Sequence, residues 1–255
     1  MAAKKTEAIG LEKALRNIAQ RYSINQVFDD FLKMTVCAFT IGFMEEEYKK
    51  IAGRYDEHEL KMFAGALAEM TEEYHREVTV DGWADVVGDL FETVNSASQA
   101  SRSGQFFTPK SVCNLMSKIT HVESDPIPNT VNDCACGSSR NLLAHKALKP
   151  AHRHVFYVAQ DLDERCILMS VINFVMHGMK GVIIHMDTLR MKVYGGYRIY
   201  LPEIGLFAKP MTVAQCNYYL FEHREIADAE PIKIELSPVP EQMKQAILKG
   251  QLSLF

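Results

Sequence analysis

This chain of 255 residues lacks three features that would mark whole classes of protein. It has no apolar run long enough to span a bilayer. It also has no apolar run after its first lysines, as a secretory signal would require, so we predict a cytoplasmic protein. It has no excess of basic charge. Its net charge of −4 therefore argues against a protein that coats nucleic acid through bulk electrostatics.

The six cysteines form no pattern typical of a disulfide framework or a zinc site. Only Cys134 and Cys136 lie close together, and no second pair or spaced histidine accompanies them. We therefore expect reduced thiols, most of them buried in apolar segments, and no metal ion.

Apolar residues recur at helical spacing from residue 9 to about residue 94, which predicts four or five helices. A polar run at residues 95–103 then marks a candidate domain boundary. Beyond it, strands and helices alternate, which implies right-handed crossovers and a mostly parallel sheet. We predict a helical N-terminal domain, an α/β domain, and a C-terminal helix and tail, at residues 1–98, 99–235 and 236–255.

Within the α/β part, the pattern predicts helices at residues 110–120, 140–148 and 164–177, and strands at 130–133, 154–159 and 182–185. Beyond residue 187 the alternation weakens. Residues 194–197 have the composition of a turn, 198–201 and 218–221 could be strands, and 241–248 could form a last helix.

Each predicted strand is followed closely by a carboxylate. Asp133 precedes a turn of small residues, with Gly137 at its centre, that lets the backbone approach a ligand before a helix begins. Asp161 could accept both hydroxyl protons of a ribose, and Asp187 lies one strand further on, within reach of an adenine amine. A lone glycine turn usually just starts a helix, and a lone strand-end aspartate is usually a helix cap. Their order and spacing together predict a pocket for an adenosine-containing molecule.

The segment SGQFFTPKSV places two adjacent aromatic residues, Phe106 and Phe107, in a loop bounded by Gly104 and Pro109. A ring in such a loop could simply point into the core. The alternative is that the rings cover a ligand.

These segments resemble the N6-adenine DNA methyltransferases, most closely the methylase subunits of type I restriction–modification systems. The family segments G-Q-F-[FY]-T-P, D-P-[AC]-C-G-[ST]-G, N-x-x-x-H-G and G-D-[ST]-L correspond to residues 104–109, 133–139, 173–178 and 186–189. The resemblance implies a Rossmann-like methyltransferase fold that binds S-adenosylmethionine. It also implies DNA as a partner, together with a separate specificity subunit that reads the DNA site.

The resemblance further implies a role for each segment in binding S-adenosylmethionine. The loop would fold over the methionine end, the glycine turn would line the amino-acid part, and the next two strand ends would hold the ribose and the adenine. On this interpretation the phenylalanines form a cofactor lid. The implied cofactor residues are Phe106, Phe107, Thr108 and Pro109 in the loop, Asp133, Ala135, Gly137 and Ser138 in the turn, and Asp161, Leu162, Asp187 and Thr188 at the strand ends.

The sequence departs from the family pattern in the glycine turn and in the segment that holds the target adenine. Ser139 stands where the family has its second glycine and Cys134 where it has proline, and a Cβ at Ser139 narrows the space for a close backbone approach. The family also holds its target adenine with an [ND]-P-P-[YF] segment, whereas this sequence contains no Pro-Pro pair. We therefore predict a cofactor pocket without catalytic residues.

Two functions remain open at this point. The chain could be a small adenine methylase whose target-holding residues are unconventional or supplied by a partner subunit, or a non-catalytic methylase-fold module that binds DNA or a sliding clamp. The C-terminal pentapeptide QLSLF resembles the motif by which bacterial DNA polymerases and repair proteins bind the clamp. An apolar tail of this kind could equally dock on its own domain. The clamp interpretation assigns partner contacts to Gln251, Leu252, Leu254 and Phe255.

Overall fold

The computed structural model describes residues 10–94, 107–120, 129–148, 155–200 and 207–222. Residues 10–94 form five helices, as the apolar spacing predicts: α1 Gly10–Ile18, α2 Ile24–Phe39, α3 Glu45–Ala52, α4 Glu57–Asp81 and α5 Val86–Val94. Helix α4 begins with a capping box between Asp56 and Glu59 and ends at Gly82, whose φ of +81° suits a residue without a Cβ. The short link after Gly82 leads directly into α5.

The second part of the chain alternates strands and helices around one five-stranded sheet of order β1-β2-β3-β4-β5. Its elements are α6 Lys110–Thr120, β1 Asn129–Asp133, α7 Arg140–Leu148, β2 Val155–Asp161, α8 Glu164–Met176, β3 Gly181–Asp187, β4 Lys192–Tyr200, β5 Phe207–Met211, α9 Val213–Asn217 and a π-helical turn Tyr218–Glu222. Strands β1 to β3 are parallel, and the next two pairings are antiparallel. The predicted α/β alternation is confirmed, with element ends displaced by at most two residues up to β3.

Two predictions beyond residue 187 are wrong. Residues 194–197 lie inside β4, where a Cβ at Gly196 would clash with the carbonyl oxygen of Ile183, so this glycine serves close strand packing. Residues 218–221 belong to the π-helical turn, because Tyr219 and Leu220 pack onto the sheet from a helical continuation of α9. The predicted helix at residues 241–248 lies outside the described residues.

The apolar core has two parts, one on each face of the sheet. The larger cluster runs without a break from the N-terminal helices through α8 to one sheet face, including Ile183 and Ile199. The smaller cluster, which includes Val182 and Ile184, lies on the other face beneath α9. The helical and α/β parts therefore share one core, and their division into domains stays a prediction.

All six cysteines are free, and Cys134 is the exposed one among them. Among the helices that the structure describes, none is long and apolar enough to cross a membrane.

Candidate functional site

Three aspartates lie along one edge of the sheet because β1, β2 and β3 run parallel and each ends in a carboxylate. The register pairs Asp133 with Ala159 and Asp161 with His185, so each aspartate lies two residues further along than the one before. With neighbouring strands about 4.8 Å apart, this stagger separates successive aspartates by about 8 Å. The strand ends that the sequence predicts for a ligand are thus brought together.

The turn after β1 is tied to the second strand by its backbone. Gly137 adopts a left-handed φ of +54°, and its N–H donates to Oδ2 of Asp161 over 2.9 Å. Asp133 accepts hydrogen bonds from the backbone N–H of Ala135 at 3.2 Å and from Nδ2 of Asn141 at 3.3 Å. Ala135 itself is exposed. Two of the three carboxylates therefore fix the shape of this turn.

Asp161 is half-buried, and both of its oxygens already accept hydrogen bonds. Oδ1 accepts from the N–H of Asp163 over 2.9 Å, and Oδ2 accepts from Gly137. Burial raises the pKa of the Asp161 carboxyl, although these backbone N–H groups oppose the shift. A carboxylate offers about four acceptor positions, so capacity remains for ligand hydroxyls.

The third strand end is held by the turn that follows it. Oδ1 of Asp187 accepts from the N–H of Arg190 over 3.0 Å, and Thr188 beside it is half-buried. Leu162 is 59% exposed, and its carbonyl accepts a hydrogen bond of 2.9 Å from Nε2 of His185. The Leu162 side chain is therefore accessible to a ligand at this edge.

The aromatic loop reaches the glycine turn through Phe107. A Cβ placed on Gly137 would lie 3.0 Å from the Phe107 ring, which is half-buried and lies 5.3 Å from the ring of Phe91. Next to it, Thr108 is half-buried. Pro109 is exposed, and its carbonyl oxygen accepts hydrogen bonds from two backbone N–H groups in the first turn of α6. Phe107 therefore packs against both the core and the turn, while Phe106 lies outside the described residues.

The two serines of the turn direct their side chains into the protein. The Ser138 hydroxyl donates to Oδ2 of Asp85 over 2.6 Å. Ser139 has a φ of +74°, a left-handed conformation that favours glycine, and its hydroxyl donates to Oγ of Ser170 over 2.8 Å. The Cβ of Ser139 is thus directed towards α8, so that it does not project from the strand-end edge.

Asp85, in the link between α4 and α5, is the centre of a buried polar cluster that sequence reasoning missed. Besides Ser138, its carboxylate accepts from Nε of Arg140 at 2.6 Å, from Nδ2 of Asn173 at 2.7 Å and from the N–H of Gly88 at 3.0 Å. One carboxylate from the helical part therefore holds the glycine turn, the start of α7 and the C-terminal half of α8 together. The available signal was a charged residue inside the otherwise apolar run at residues 83–87.

Arg140 joins this cluster to α5 and the loop. Its Nη2 donates to Asp89 at 2.6 Å and to Glu92 at 3.0 Å, and its guanidinium carbon lies 5.1 Å from the centre of the Phe107 ring. Burial would lower the pKa of Arg140, but Asp85 and the other two carboxylates outweigh this and raise it. Partial desolvation of its carboxyl group beside Arg140 raises the pKa of Asp89 to about 6 although the side chain is 53% exposed, with a further contribution from Asp85 and an opposing one from Arg140.

The family segment at residues 173–178 takes part in the same contact between the two parts of the chain. The Tyr74 hydroxyl donates to Oδ1 of Asn173 over 2.6 Å, and Nε2 of His177 accepts from the N–H of Ala84 over 3.1 Å. The other ring nitrogen, Nδ1, donates to the carbonyl of Asn173 over 2.7 Å. This pattern requires a neutral ring, and burial lowers the pKa of His177 to about 4.

The remaining predicted contacts cannot be placed. The proposed clamp residues, Gln251, Leu252, Leu254 and Phe255, lie outside the described residues. Within the described ranges, no three His, Cys, Asp or Glu side chains are grouped closely enough to hold a metal ion.

Comparison with known proteins gives one family and two curated relatives. Residues 82–197 match the family model described as N-6 DNA Methylase. The chain is 28% identical over 188 residues to the Type I restriction enzyme MpnII methylase subunit of Mycoplasma pneumoniae, an alignment that covers 67% of this chain and 34% of that protein. It is 26% identical over 97 residues to the Type I restriction enzyme MjaVIII methylase subunit of Methanocaldococcus jannaschii, which covers 37% of this chain and 16% of that protein.

The chain thus spans about a third or less of the length of these relatives. No solved structure gives a significant match. The family match begins at Gly82, so Asp85 lies inside it.

Proposed function

We propose that this chain, whose residues 82–197 match the N-6 DNA methylase family model, binds S-adenosylmethionine at the carboxyl ends of β1 to β3 and serves the N6-adenine methylation of DNA. The relatives are methylase subunits of type I restriction enzymes. By analogy, we propose that this chain works with DNA and a specificity subunit.

The observation that carries the proposal is the bond between Gly137 and Asp161. It joins a left-handed glycine turn to the carboxylate of the neighbouring strand, so the two groups that would contact the amino-acid part and the ribose form one unit. Ligands of parallel α/β sheets bind at this edge of the sheet. The stagger of the three aspartates provides an extended row of acceptors for an extended nucleoside.

The residues fit S-adenosylmethionine in their chemistry. Asp161 keeps acceptor positions for ribose hydroxyls, and Asp187 keeps them for an adenine amine. Phe107 places an aromatic ring at the glycine turn, where the methionine end would lie. When bound, S-adenosylmethionine supplies an activated methyl group.

The chain's own part in catalysis is to present the methyl donor. Its sequence has no [ND]-P-P-[YF] segment to hold a flipped adenine, so we propose that a partner polypeptide or unconventional residues hold the base. A non-catalytic module that binds the cofactor and DNA is the competing function, and the transfer assay below separates the two.

Calorimetric titration with S-adenosylmethionine and S-adenosylhomocysteine tests the cofactor site. We expect Asp187→Asn to weaken binding by about tenfold, the effect of losing about 1.4 kcal/mol. The control Asp81→Asn removes a carboxylate at the end of α4, where it pairs with Lys110, and should leave binding unchanged. Absence of binding by the wild-type chain, or an equal loss in both variants, would refute the site.

Transfer of a labelled methyl group to DNA tests catalysis. Transfer that requires an added specificity subunit supports the methylase, because partner residues then complete the adenine site. A chain that binds S-adenosylmethionine and still transfers nothing with the subunit present is the non-catalytic module.

A further inference from the structure

A second cluster of cations and aromatic rings lies far from the strand-end aspartates, on the opposite face of the sheet from the N-terminal helices. The register pairs Arg198 of β4 with Val182 of β3 and with Lys209 of β5, and Val182 belongs to the smaller core cluster. Paired residues share a face, so the Cβ atoms of Arg198 and Lys209 lie on the face that α9 covers, while the ammonium group of Lys209 extends to within 5.3 Å of the centre of the Phe43 ring. Val182 precedes Asp187 by five residues, which is about 16 Å along the strand.

The guanidinium of Arg198 lies close to two aromatic rings. Its central carbon lies 4.8 Å from the centre of the Tyr200 ring and 4.9 Å from that of Tyr219. Tyr200 stacks on Phe207 at 5.1 Å, and Tyr219 stacks on Phe156 at 6.1 Å. Both distances to Arg198 are within the range of cation–π contacts, and a guanidinium in such a contact still has in-plane N–H groups that can donate to a ligand.

The charge of Arg198 has no carboxylate beside it in the part of the chain that the structure describes. Burial lowers the pKa of Arg198, and among the described residues Tyr200 and Tyr218 oppose the shift. Lys209, the residue directly opposite in the strand pair, is a second cation that lines the same cleft. A bound anion would offset the cost of burying the Arg198 charge.

A cleft of about 360 Å³ opens beside these cations. Arg198, Tyr200, Lys209, Gln215, Tyr218 and Tyr219 line it. Its volume falls within the range of small-molecule sites. In-plane guanidinium donors next to aromatic rings combine the two interactions by which proteins hold single nucleic-acid strands, phosphate contacts and base stacking.

We propose that this cleft, the Arg198 cleft, binds a phosphate group of a DNA strand, with Arg198 as a two-point donor and Lys209 as a second cation. Tyr218, which is 37% exposed, offers a ring to the adjoining base. The choice of DNA as the source of the phosphate rests on the proposed function, whereas the anion site rests on the cleft itself.

Fluorescence anisotropy with labelled single-stranded and double-stranded oligonucleotides over a range of salt concentrations tests the Arg198 cleft. We expect Arg198→Gln to weaken binding by about tenfold and to reduce the slope of log affinity against log salt by about one. Arg198→Lys keeps the charge but lacks the planar fork, so its affinity for the oligonucleotides should fall between those of the wild-type chain and Arg198→Gln. The control Arg76→Gln removes one exposed arginine from α4 and should change affinity by less than about twofold.

Equal losses of affinity in Arg198→Gln and Arg76→Gln would overturn the proposed binding site, because they would show that binding depends on the overall charge of the protein. So would an absence of oligonucleotide binding by the wild-type chain at low salt. Thermal unfolding checks that each variant is folded, and if Arg198→Gln is not, Arg198→Lys and Lys209→Gln carry the test with the same expected direction.

Two further measurements separate the sources of phosphate and the two sites. Inorganic phosphate and unlabelled DNA are compared as competitors at equal phosphate concentration. Equal displacement of the labelled oligonucleotides by the two competitors would overturn the assignment to DNA. Arg198→Gln should bind S-adenosylmethionine as the wild-type chain does, so loss of DNA binding with intact cofactor binding concerns the cleft alone. Failure of S-adenosylmethionine binding in all proteins concerns the proposed function alone.

Discussion

Replacing Asp85 with alanine should lower the free energy of unfolding by about 3–5 kcal/mol, the usual effect of removing one partner from a buried ion pair. Asp85 and Arg140 have side chains that are only 2% and 8% exposed, and the oxygen and nitrogen of their contact lie 2.6 Å apart. Without Asp85 the carboxylates that the buried guanidinium keeps among the described residues are Asp89 and Glu92, which are 53% and 42% exposed and therefore screened by solvent.

The same substitution also removes an acceptor from neutral donors. The hydroxyl of Ser138 and the amide of Asn173 both donate to Asp85 inside the protein. An unsatisfied buried donor costs about 1–3 kcal/mol, so these two groups place the expected loss towards the upper end of the range.

Urea unfolding followed by circular dichroism measures this loss. The comparison requires that the slope of unfolding free energy against urea concentration is the same in both proteins. The matched control is Asp81→Ala, four residues earlier, whose ion pair with Lys110 is solvent-exposed and should be worth at most about 1 kcal/mol. A double-mutant cycle with Arg140→Met should give a coupling energy of at least about 2 kcal/mol between Asp85 and Arg140.

A loss of stability in Asp85→Ala no larger than that in Asp81→Ala would contradict a stabilising buried contact between Asp85 and Arg140. A coupling energy near zero would do so as well, because it would mean that Arg140 is held equally well by its other two carboxylates.

Three further predictions concern the turn and its contact with the helical part. Ser139→Ala should destabilise the fold by about 1 kcal/mol, because it keeps the left-handed backbone strain and loses a buried hydrogen bond, whereas Ser139→Gly relieves that strain and should be closer to neutral. Gly137→Ala should destabilise by about 1–2 kcal/mol, since its φ is +54° and the new Cβ would press on Phe107 at 3.0 Å, while Gly65→Ala, in an open helical position, should stabilise by about 1 kcal/mol. The stability advantage of the wild-type chain over His177→Asn should shrink by about 3 kcal/mol between pH 7 and pH 4, measured by urea unfolding at each pH.

The sign of the last prediction follows from the lowered pKa of His177, about 4. The neutral ring contributes fully above about pH 6.5, where the unfolded histidine is also neutral, and its contribution is lost as the pH falls towards 4. Asp89 acts in the opposite sense, because its raised pKa of about 6 lowers stability as the pH rises from about 4 to 6. The difference between wild type and variant isolates His177, and a pH-independent difference would contradict its assignment as a buried neutral ring.

The other two predictions fail on clear outcomes in the same unfolding assay. A larger loss in Ser139→Gly than in Ser139→Ala would show that the left-handed backbone is not strained. Equal effects of alanine at Gly137 and at Gly65 would show that Phe107 does not lie against the turn.

Local sequence patterns predict the elements up to β3 and the sheet edge at which we place the candidate site. Strands β1 to β3 and helices α6 to α8 carry local signals, namely apolar runs, turn residues and caps, that act over a few residues. Once the three strands are parallel, Asp133, Asp161 and Asp187 must share one edge of the sheet. The candidate cofactor residues follow from that order together with the family resemblance.

The surroundings of this edge depend on contacts between distant parts of the chain. Asp85 meets Ser138 across 53 residues and Asn173 across 88, and Arg198 contacts aromatic rings of β4 and of the π-helical turn. Residues 218–221 are helical although their composition favours a strand, because packing onto the sheet overrides local propensity. Buried charges require partners, and here distant segments supply them, so the local pattern marks Asp85 as unusual without identifying its partners.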